Sequence, residues 1–357
     1  MRRHLNRIPA PILSGIRWVW RRLPPPDPRF LLQNLESEQR RLKFLRSPHY
    51  RRFADREAQY WSEQIPTETS DGPDSTPCGE QAGVKNLLEH PTIRREMNRR
   101  AGLETRDIWE WLVKQDAPAE HGLVLGAGNG AHCRMLIDGK IARRVTAYDI
   151  AEELVEKANT QFARYGYPID YQAMDLNFAR FPPRTFDLCL AMHVLHHFIN
   201  LETLFSQLAG SLTVETGRLV MEEYVGPRYL EFPKIVRDKA QDWFKRLPTR
   251  LRRAPDGQST IECLDFFDRW WIQRHSPFES IRSDRILPAL EQSMRIDHMR
   301  PLGGGLLMPL LHAIIGNFDP ADEEANGWIQ RIMADDMALT EANEIPNFYV
   351  FVVARPR

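Results

Sequence analysis

Residues 121–130 read His-Gly-Leu-Val-Leu-Gly-Ala-Gly-Asn-Gly, and nineteen residues after Gly130 a second apolar run, Val145 to Tyr148, ends in Asp149. Gly126, Gly128 and Gly130 suit a sharp turn whose backbone approaches a ligand with no Cβ in the way. A carboxylate closing the next strand can accept hydrogen bonds from both hydroxyls of a ribose. Together these residues predict a nucleotide-like cofactor site. A lone glycine turn can also serve packing alone, and the acid shifts that balance. The dinucleotide pattern G-x-G-x-x-G/A is met loosely by Gly126, Gly128 and Ala131, so the turn leaves the cofactor class open. Further along, His193, His196 and His197 follow one apolar run and Glu222 and Glu223 lie in another, residue types suited to proton transfer. The three imidazoles share a face if a helix begins there. The two glutamates alternate across a strand, so only one would face a site.

Alternating runs of strand and helix must position these groups. Strands are expected at 123–125, 145–149, 169–177, 186–193 and 218–225, with helices at about 151–165 and 200–212 between them. The third strand ends in Asp175. Met294 to Leu302 and Asn347 to Val353 supply a sixth and a seventh strand, and a helix at about 279–291 leads into the sixth. Two segments are too long for simple connections, 226–278 and 303–346, and read as insertions. The first carries Trp243, Phe244, Phe266, Phe267, Trp270 and Trp271, either packed internally or forming an acceptor wall. Trp270 and Trp271 are adjacent and cannot share one face. Arg274, His275, Arg282 and Arg285 would serve anionic acceptor groups or face solvent.

In this order the motifs of residues 121–225 resemble class I S-adenosylmethionine-dependent methyltransferases. The resemblance implies an α/β, Rossmann-like sheet of seven mostly parallel strands with an antiparallel edge hairpin. It places Gly126, Ala127, Gly128 and Gly130 under the methionine part of the cofactor and Asp149 on the ribose, with Ile150 against the adenine. Asp175 would take the adenine amino group, with the Leu176 amide beside the ring, and His193 and its neighbours would line the methyl-transfer site. Segments 222–227, 276–283 and 310–318 look like parts of bacterial methyltransferases often found with genes for cell-surface polysaccharides. That implies methyl transfer to a small-molecule or glycan-linked acceptor, on oxygen. A hydroxyl acceptor asks for a base, and His196, one turn beyond His193, is the first choice, followed by His193, His197 and Glu222. A metal site built from the three histidines and a strand glutamate is not expected, because no further ligand cluster is evident in the sequence. A nicotinamide-dependent oxidoreductase is the enzyme alternative, disfavoured by the acid in Met174-Asp175-Leu176 and by the lack of a hydride-site constellation. A catalytically silent cofactor-binding partner of a membrane-associated biosynthetic complex is the other.

The 357 residues, 42% apolar, suffice for one elaborated domain or two, and the formal net charge is zero. Its distribution is uneven. Residues 1–52 hold thirteen Arg or Lys against three acids, a basic arm near +10 that leaves the remainder near −10. A helical lead-in is expected over 53–120, with a helix at Ala101 to Lys114, followed by the methyltransferase domain over 121–357. Pro24, Pro25, Pro26 and Pro28 break the chain after its start, and 66–80 reads as a surface loop. Ile12, Ile16, Trp18 and Trp20 among arginines would let the arm lie on an anionic membrane surface. Nucleic acid is not expected, because the basic run lacks a reading module. Cys78, Cys133, Cys189 and Cys263 show no metal spacing and suit a reducing compartment. With no signal-peptide pattern and no apolar run long enough for a membrane span, the cytoplasm is expected.

Overall fold

The computed structural model describes residues 35–357 except 66–85, 104, 106, 116, 117, 255, 256, 258 and 268. The tryptophan-bearing part of the basic arm, its proline break, Cys78 and the loop expected at 66–80 lie outside the described residues.

Seven strands form one sheet: β1 Gly122–Leu125, β2 Val145–Asp149, β3 Ile169–Ala173, β4 Leu188–Met192, β5 Arg218–Tyr224, β6 Met294–Gly303 and β7 Tyr349–Pro356. Their order is β3-β2-β1-β4-β5-β7-β6. The first five pair in parallel, β7 runs antiparallel to β5, and β6 antiparallel to β7. The fold is therefore the α/β, Rossmann-like sheet with an antiparallel edge hairpin. Its strand order reverses between β1 and β4, and the crevice beyond the carboxyl ends of those two strands is where such sheets bind ligands.

Among the described residues, four α-helices precede the sheet: α1 Glu38–Leu45, α2 Pro48–Gln64, α3 Pro91–Arg100 and α4 Ile108–Val113. Between parallel strands run α5 Ala131–Asp138, α6 Glu152–Tyr165 and α7 Leu201–Ser211. Between β5 and β6 lie α8 Lys234–Arg246, α9 Arg269–His275 and α10 Ile286–Ser293; between β6 and β7 lie α11 Leu307–Leu311 and α12 Glu323–Glu341. No helix among the described residues is long and apolar enough to cross a membrane.

The central strands are apolar on both faces, so each feeds two cores. Leu123, Leu125, Cys189 and Met221 pack with Leu204 and Phe205 of α7 and Leu290 of α10. Val124, Leu190, Val220 and Phe351 pack on the other face with Phe53 of α2, Leu136 of α5 and Phe162 of α6. Each fully buried side chain of this kind contributes about 1.5–3 kcal/mol. Truncating buried Phe205 to Ala would cost about 3–5 kcal/mol through lost contacts and a cavity.

Three element boundaries differ from expectation, each for a local reason. The helix expected at 101–114 spans only Ile108–Val113, because Asp107 accepts the Glu110 amide at 2.8 Å as its N-cap. The third strand stops at Ala173 rather than 177, because Asp175 caps a short 3₁₀ turn, Leu176–Phe178. The helix expected from 279 begins at Ile286, after Ser280 has turned the chain at φ +51°.

Candidate active site

The glycine turn joins β1 to α5, and Gly126 and Gly128 adopt φ of +59° and +56°, where an L side chain is strained. A Cβ on Gly126 would also collide with Val194, and one on Gly130 with Phe162. These two glycines thus answer the protein's own packing. Gly128 is covered by Ile65, the residue after α2, which a Cβ would approach to 3.1 Å.

Asp149 ends β2 beside this turn. One carboxylate oxygen accepts the Gly128 amide and the other the Ala151 amide, each at 2.9 Å. Burial pushes its carboxyl up, while those amides and that of Ile150 favour the charged form. Each oxygen has a second lone pair, so the group retains acceptor capacity for a ribose diol. Ile150 follows it, and Ala127 is buried. Asp175, expected on the adenine amino group, accepts the Asn177 amide at 3.0 Å and the Tyr50 hydroxyl at 2.5 Å. Leu176 beside it is buried. The three strand ends β3, β2 and β1 thus carry every glycine and acid the sequence assigned to a cofactor.

At the ends of β4 and β5 the imidazoles meet carboxylates. His193 follows β4 at φ +52°, and no helix starts there; a 3₁₀ turn, Leu195–His197, comes first and α7 begins at Leu201. His193 therefore points to Glu222, while the His196 and His197 rings lie together with centroids 4.2 Å apart, instead of all three sharing a helical face. His193 Nε2 lies 3.0 Å from Glu222 Oε1, which also receives Arg94 of α3 at 2.5 Å. Burial opposes ionisation of Glu222, yet Arg94 and His193 override it and hold the carboxyl at about 2. Glu222 is therefore an anion at neutral pH. His193 Nδ1 is buried with no hydrogen-bond partner among the described residues.

Both strand glutamates reach the turn, against the expectation that only one could. Glu223 accepts the Val194 and Leu195 amides at 2.8 and 2.6 Å and faces His196 Nδ1 at 2.5 Å. The sharp turn after β4 folds those groups over the end of β5, which alternation along one strand does not foresee. His196 Nε2 lies 3.7 Å from Glu279, and His197 Nε2 is also 3.7 Å from Glu279. His197 Nδ1 is 3.0 Å from Glu57 of α2. Burial alone would lower the His197 pKa, but Glu279 and Glu57 raise it to about 9.

Helix α2 spans this whole edge. Pro48 at its first turn and Ser47, which accepts the Tyr50 amide, start it. Tyr50 then reaches Asp175, Glu57 reaches His197, and Ile65 covers Gly128. Buried Glu57 is further held by Ser276 Oγ at 2.7 Å, the Phe278 amide at 3.0 Å and Trp61 Nε1 at 2.7 Å. Sequence reasoning gave Tyr50, Glu57, Arg94 and Glu279 no role, since each is distant along the chain from the motif it completes. Arg282 neither faces solvent nor awaits an anion: it is buried and bonds Glu202 at 2.8 Å through two nitrogens. Arg285 pairs with Glu36 at 2.8 Å. Of the paired tryptophans, Trp270 is exposed while Trp271 stacks on His275 with ring centroids 4.1 Å apart.

Residues 123–220 match the family model described as a methyltransferase domain. A curated relative, the ribosomal RNA small subunit methyltransferase H of Nostoc punctiforme, is 35% identical over 86 residues, which are 24% of this chain. The match spans only 28% of that relative's length. Among solved structures, an S-adenosylmethionine dependent methyltransferase from Mesorhizobium loti aligns at 18% identity and TM-score 0.40, over 70% of this chain and 98% of that one. Geranyl diphosphate C-methyltransferase from Streptomyces coelicolor, in complex with Mg2+, geranyl diphosphate and S-adenosyl-L-homocysteine, aligns at 14% identity and TM-score 0.47, over 87% and 100%. Residues 123–220, which match that methyltransferase-domain model, carry the glycine turn, Asp149, Asp175 and the three histidines.

Proposed function

We propose that the protein transfers a methyl group from S-adenosylmethionine to a hydroxyl of a small-molecule or glycan-linked acceptor, with His193 as the proton acceptor. Bound S-adenosylmethionine supplies an electrophilic methyl on a sulfonium. Gly126, Ala127, Gly128 and Gly130 would cradle its methionine part, Asp149 and Ile150 its ribose and adenine, and Asp175 and Leu176 the adenine edge.

The observation that carries the assignment of the base is the buried, unpartnered His193 Nδ1. Glu222, itself anchored by Arg94, favours a proton on His193 Nε2 and so leaves Nδ1 with its lone pair. An acceptor hydroxyl placed there would give its proton to Nδ1 as its oxygen takes the methyl. Such a positioned base contributes about 10²–10⁴-fold, and alignment of the two reactants supplies much of the rest. His196 gives up first place because both its nitrogens face carboxylates, Glu223 and Glu279. Glu222 becomes a positioning residue. The glycan part of the reading rests on the flanking segments that resemble polysaccharide-associated methyltransferases.

The test is turnover. Purified protein with S-adenosylmethionine and a panel of nucleotide sugars and glycan fragments should form S-adenosylhomocysteine only in the presence of a hydroxylated acceptor. Release that is independent of any acceptor, or tighter binding of NAD than of S-adenosylhomocysteine, would overturn the reading.

A further inference from the structure

Beside His193, and separate from the proton path proposed for it, His196, His197 and Glu279 converge. One donor atom from each lies within 4.8 Å of the other two. His196 Nε2 and His197 Nε2 each stand 3.7 Å from a Glu279 oxygen, too far for a hydrogen bond. Two ligand atoms about 2.1 Å from one ion at a tetrahedral angle lie roughly 3.4 Å apart. The gap is close to that which a bound ion leaves.

Two further features point the same way. The opposite nitrogen of each ring lies beside a carboxylate, His196 Nδ1 hydrogen-bonded to Glu223 at 2.5 Å and His197 Nδ1 in ion-pair contact with Glu57 at 3.0 Å without hydrogen-bond alignment. Metal-ligating histidines are oriented in this manner, with the outer carboxylate fixing the tautomer and aiming the other nitrogen at the ion. Three carboxylates also gather there: among the described residues, the ion pairs to Glu57, Glu223 and Glu279 come from His196 and His197, with His193 and His312 acting on Glu223 and Glu279 from farther away.

We propose that His196, His197 and Glu279 bind one divalent first-row metal ion, Zn2+ being the best match, with Glu223 and Glu57 as its outer carboxylates. Two imidazoles and one carboxylate form a ligand set that suits zinc and neighbouring transition ions, whereas Mg2+ prefers oxygen ligands throughout. The ion would tie the turn after β4 to the segment between β5 and β6. Glu57 would bring α2 to the same point. The proposal is independent of the identity of the methyl acceptor.

The full chain, stripped with a chelator and dialysed, is titrated with Zn2+ by calorimetry and analysed for retained metal after gel filtration. One equivalent per chain is expected, with Mg2+ giving none. Co2+ substitution in the unaltered chain should give the visible bands of a low-symmetry nitrogen and oxygen site, a readout that depends on no variant. Glu279→Gln and His197→Ala should each abolish retention, and Glu57→Gln should weaken affinity about tenfold to a hundredfold. Near-UV circular dichroism checks that each variant is folded. No stoichiometric Zn2+ or Co2+ in the unaltered chain, or full retention in a folded Glu279→Gln/His197→Ala double variant, would overturn the site in favour of an internal His–Glu ion pair.

Discussion

The carboxyl ends of the strands carry two clusters, one proposed for the cofactor and one for the acceptor, built on different plans. On the cofactor side, the glycine turn, Asp149 and Asp175 sit within residues 126–176, each at the end of one of three neighbouring strands and bonded chiefly to backbone amides nearby. On the acceptor side, His193, His196 and His197 draw their partners from residues 57, 222, 223 and 279, and Arg94 in turn holds Glu222. The first arrangement is mostly local, with Tyr50 on Asp175 and Ile65 over Gly128 as its distant contacts, so damage to it should stay mostly local. The second is assembled by the tertiary fold and binds α2, α3 and the segment between β5 and β6 to the turn after β4, so chemistry and stability are coupled there.

The sharpest way to break this division is His193→Ala. Turnover should fall by about 10²–10⁴ while affinity for S-adenosylhomocysteine, read by calorimetry, stays near that of the parent. A loss of affinity instead of turnover would place His193 on the cofactor side. The converse substitution, Asp149→Ala, should weaken S-adenosylhomocysteine by about 1.5–3 kcal/mol, roughly tenfold to over a hundredfold. It also removes the acceptor of the Gly128 and Ala151 amides, so the melting temperature should fall modestly rather than remain fixed. Unchanged affinity would remove Asp149 from the ribose assignment.

Acid sharpens the contrast in stability. The Glu222 carboxyl is held at about 2 in the folded chain, below its ordinary 4.5, through Arg94 and His193 acting against burial. Its stabilisation is therefore complete above about pH 4.5 and is lost as the pH falls toward 2. A Glu222→Gln variant should start less stable at neutral pH and lose less on acidification, seen as a flatter plot of melting temperature between pH 5 and 2. Parallel plots for the two proteins would show that the acceptor-side pair is not coupled to folding.

Smaller effects are expected where α2 meets the cofactor side. Tyr50→Phe removes the hydrogen bonds to Asp175 and Asn177, about 1 kcal/mol each, and should lower the melting temperature while leaving turnover at saturating cofactor unchanged. Deleting residues 1–22, which removes none of the site's described residues, should leave turnover as it is. If that arm lies on anionic membranes, co-sedimentation with anionic vesicles should drop on deletion and with added salt. Equal sedimentation of both proteins would dismiss that role.

What was legible in the sequence follows the same division. Apolar runs at period and length suited to buried strands, each ending in glycines or an acid, placed β1, β2, β4, β5 and the edge hairpin within a few residues. The positions of the glycine turn, Asp149 and Asp175 were legible because each lies at or just past the end of its own strand. Glu57 and Arg94 were not, since a glutamate in a charged helix looks the same whether it faces water or an imidazole. Glu279 was passed over for the same reason, and only Ser280 turning the chain ahead of α10 delivers it to the histidines. The turn after β4 was misjudged as a helix start because three histidines at spacings of three and one fit a helical face. The tertiary pull of Glu223 on the Val194 and Leu195 amides selects a tighter bend.

The crevice between β1 and β4 is proposed to hold S-adenosylmethionine. Calorimetric titration of the unaltered chain with S-adenosylhomocysteine and, separately, with NAD tests it most directly. S-adenosylhomocysteine should bind at one site per chain and far more tightly than NAD. Tighter binding of NAD, or no binding of S-adenosylhomocysteine, would contradict the claim.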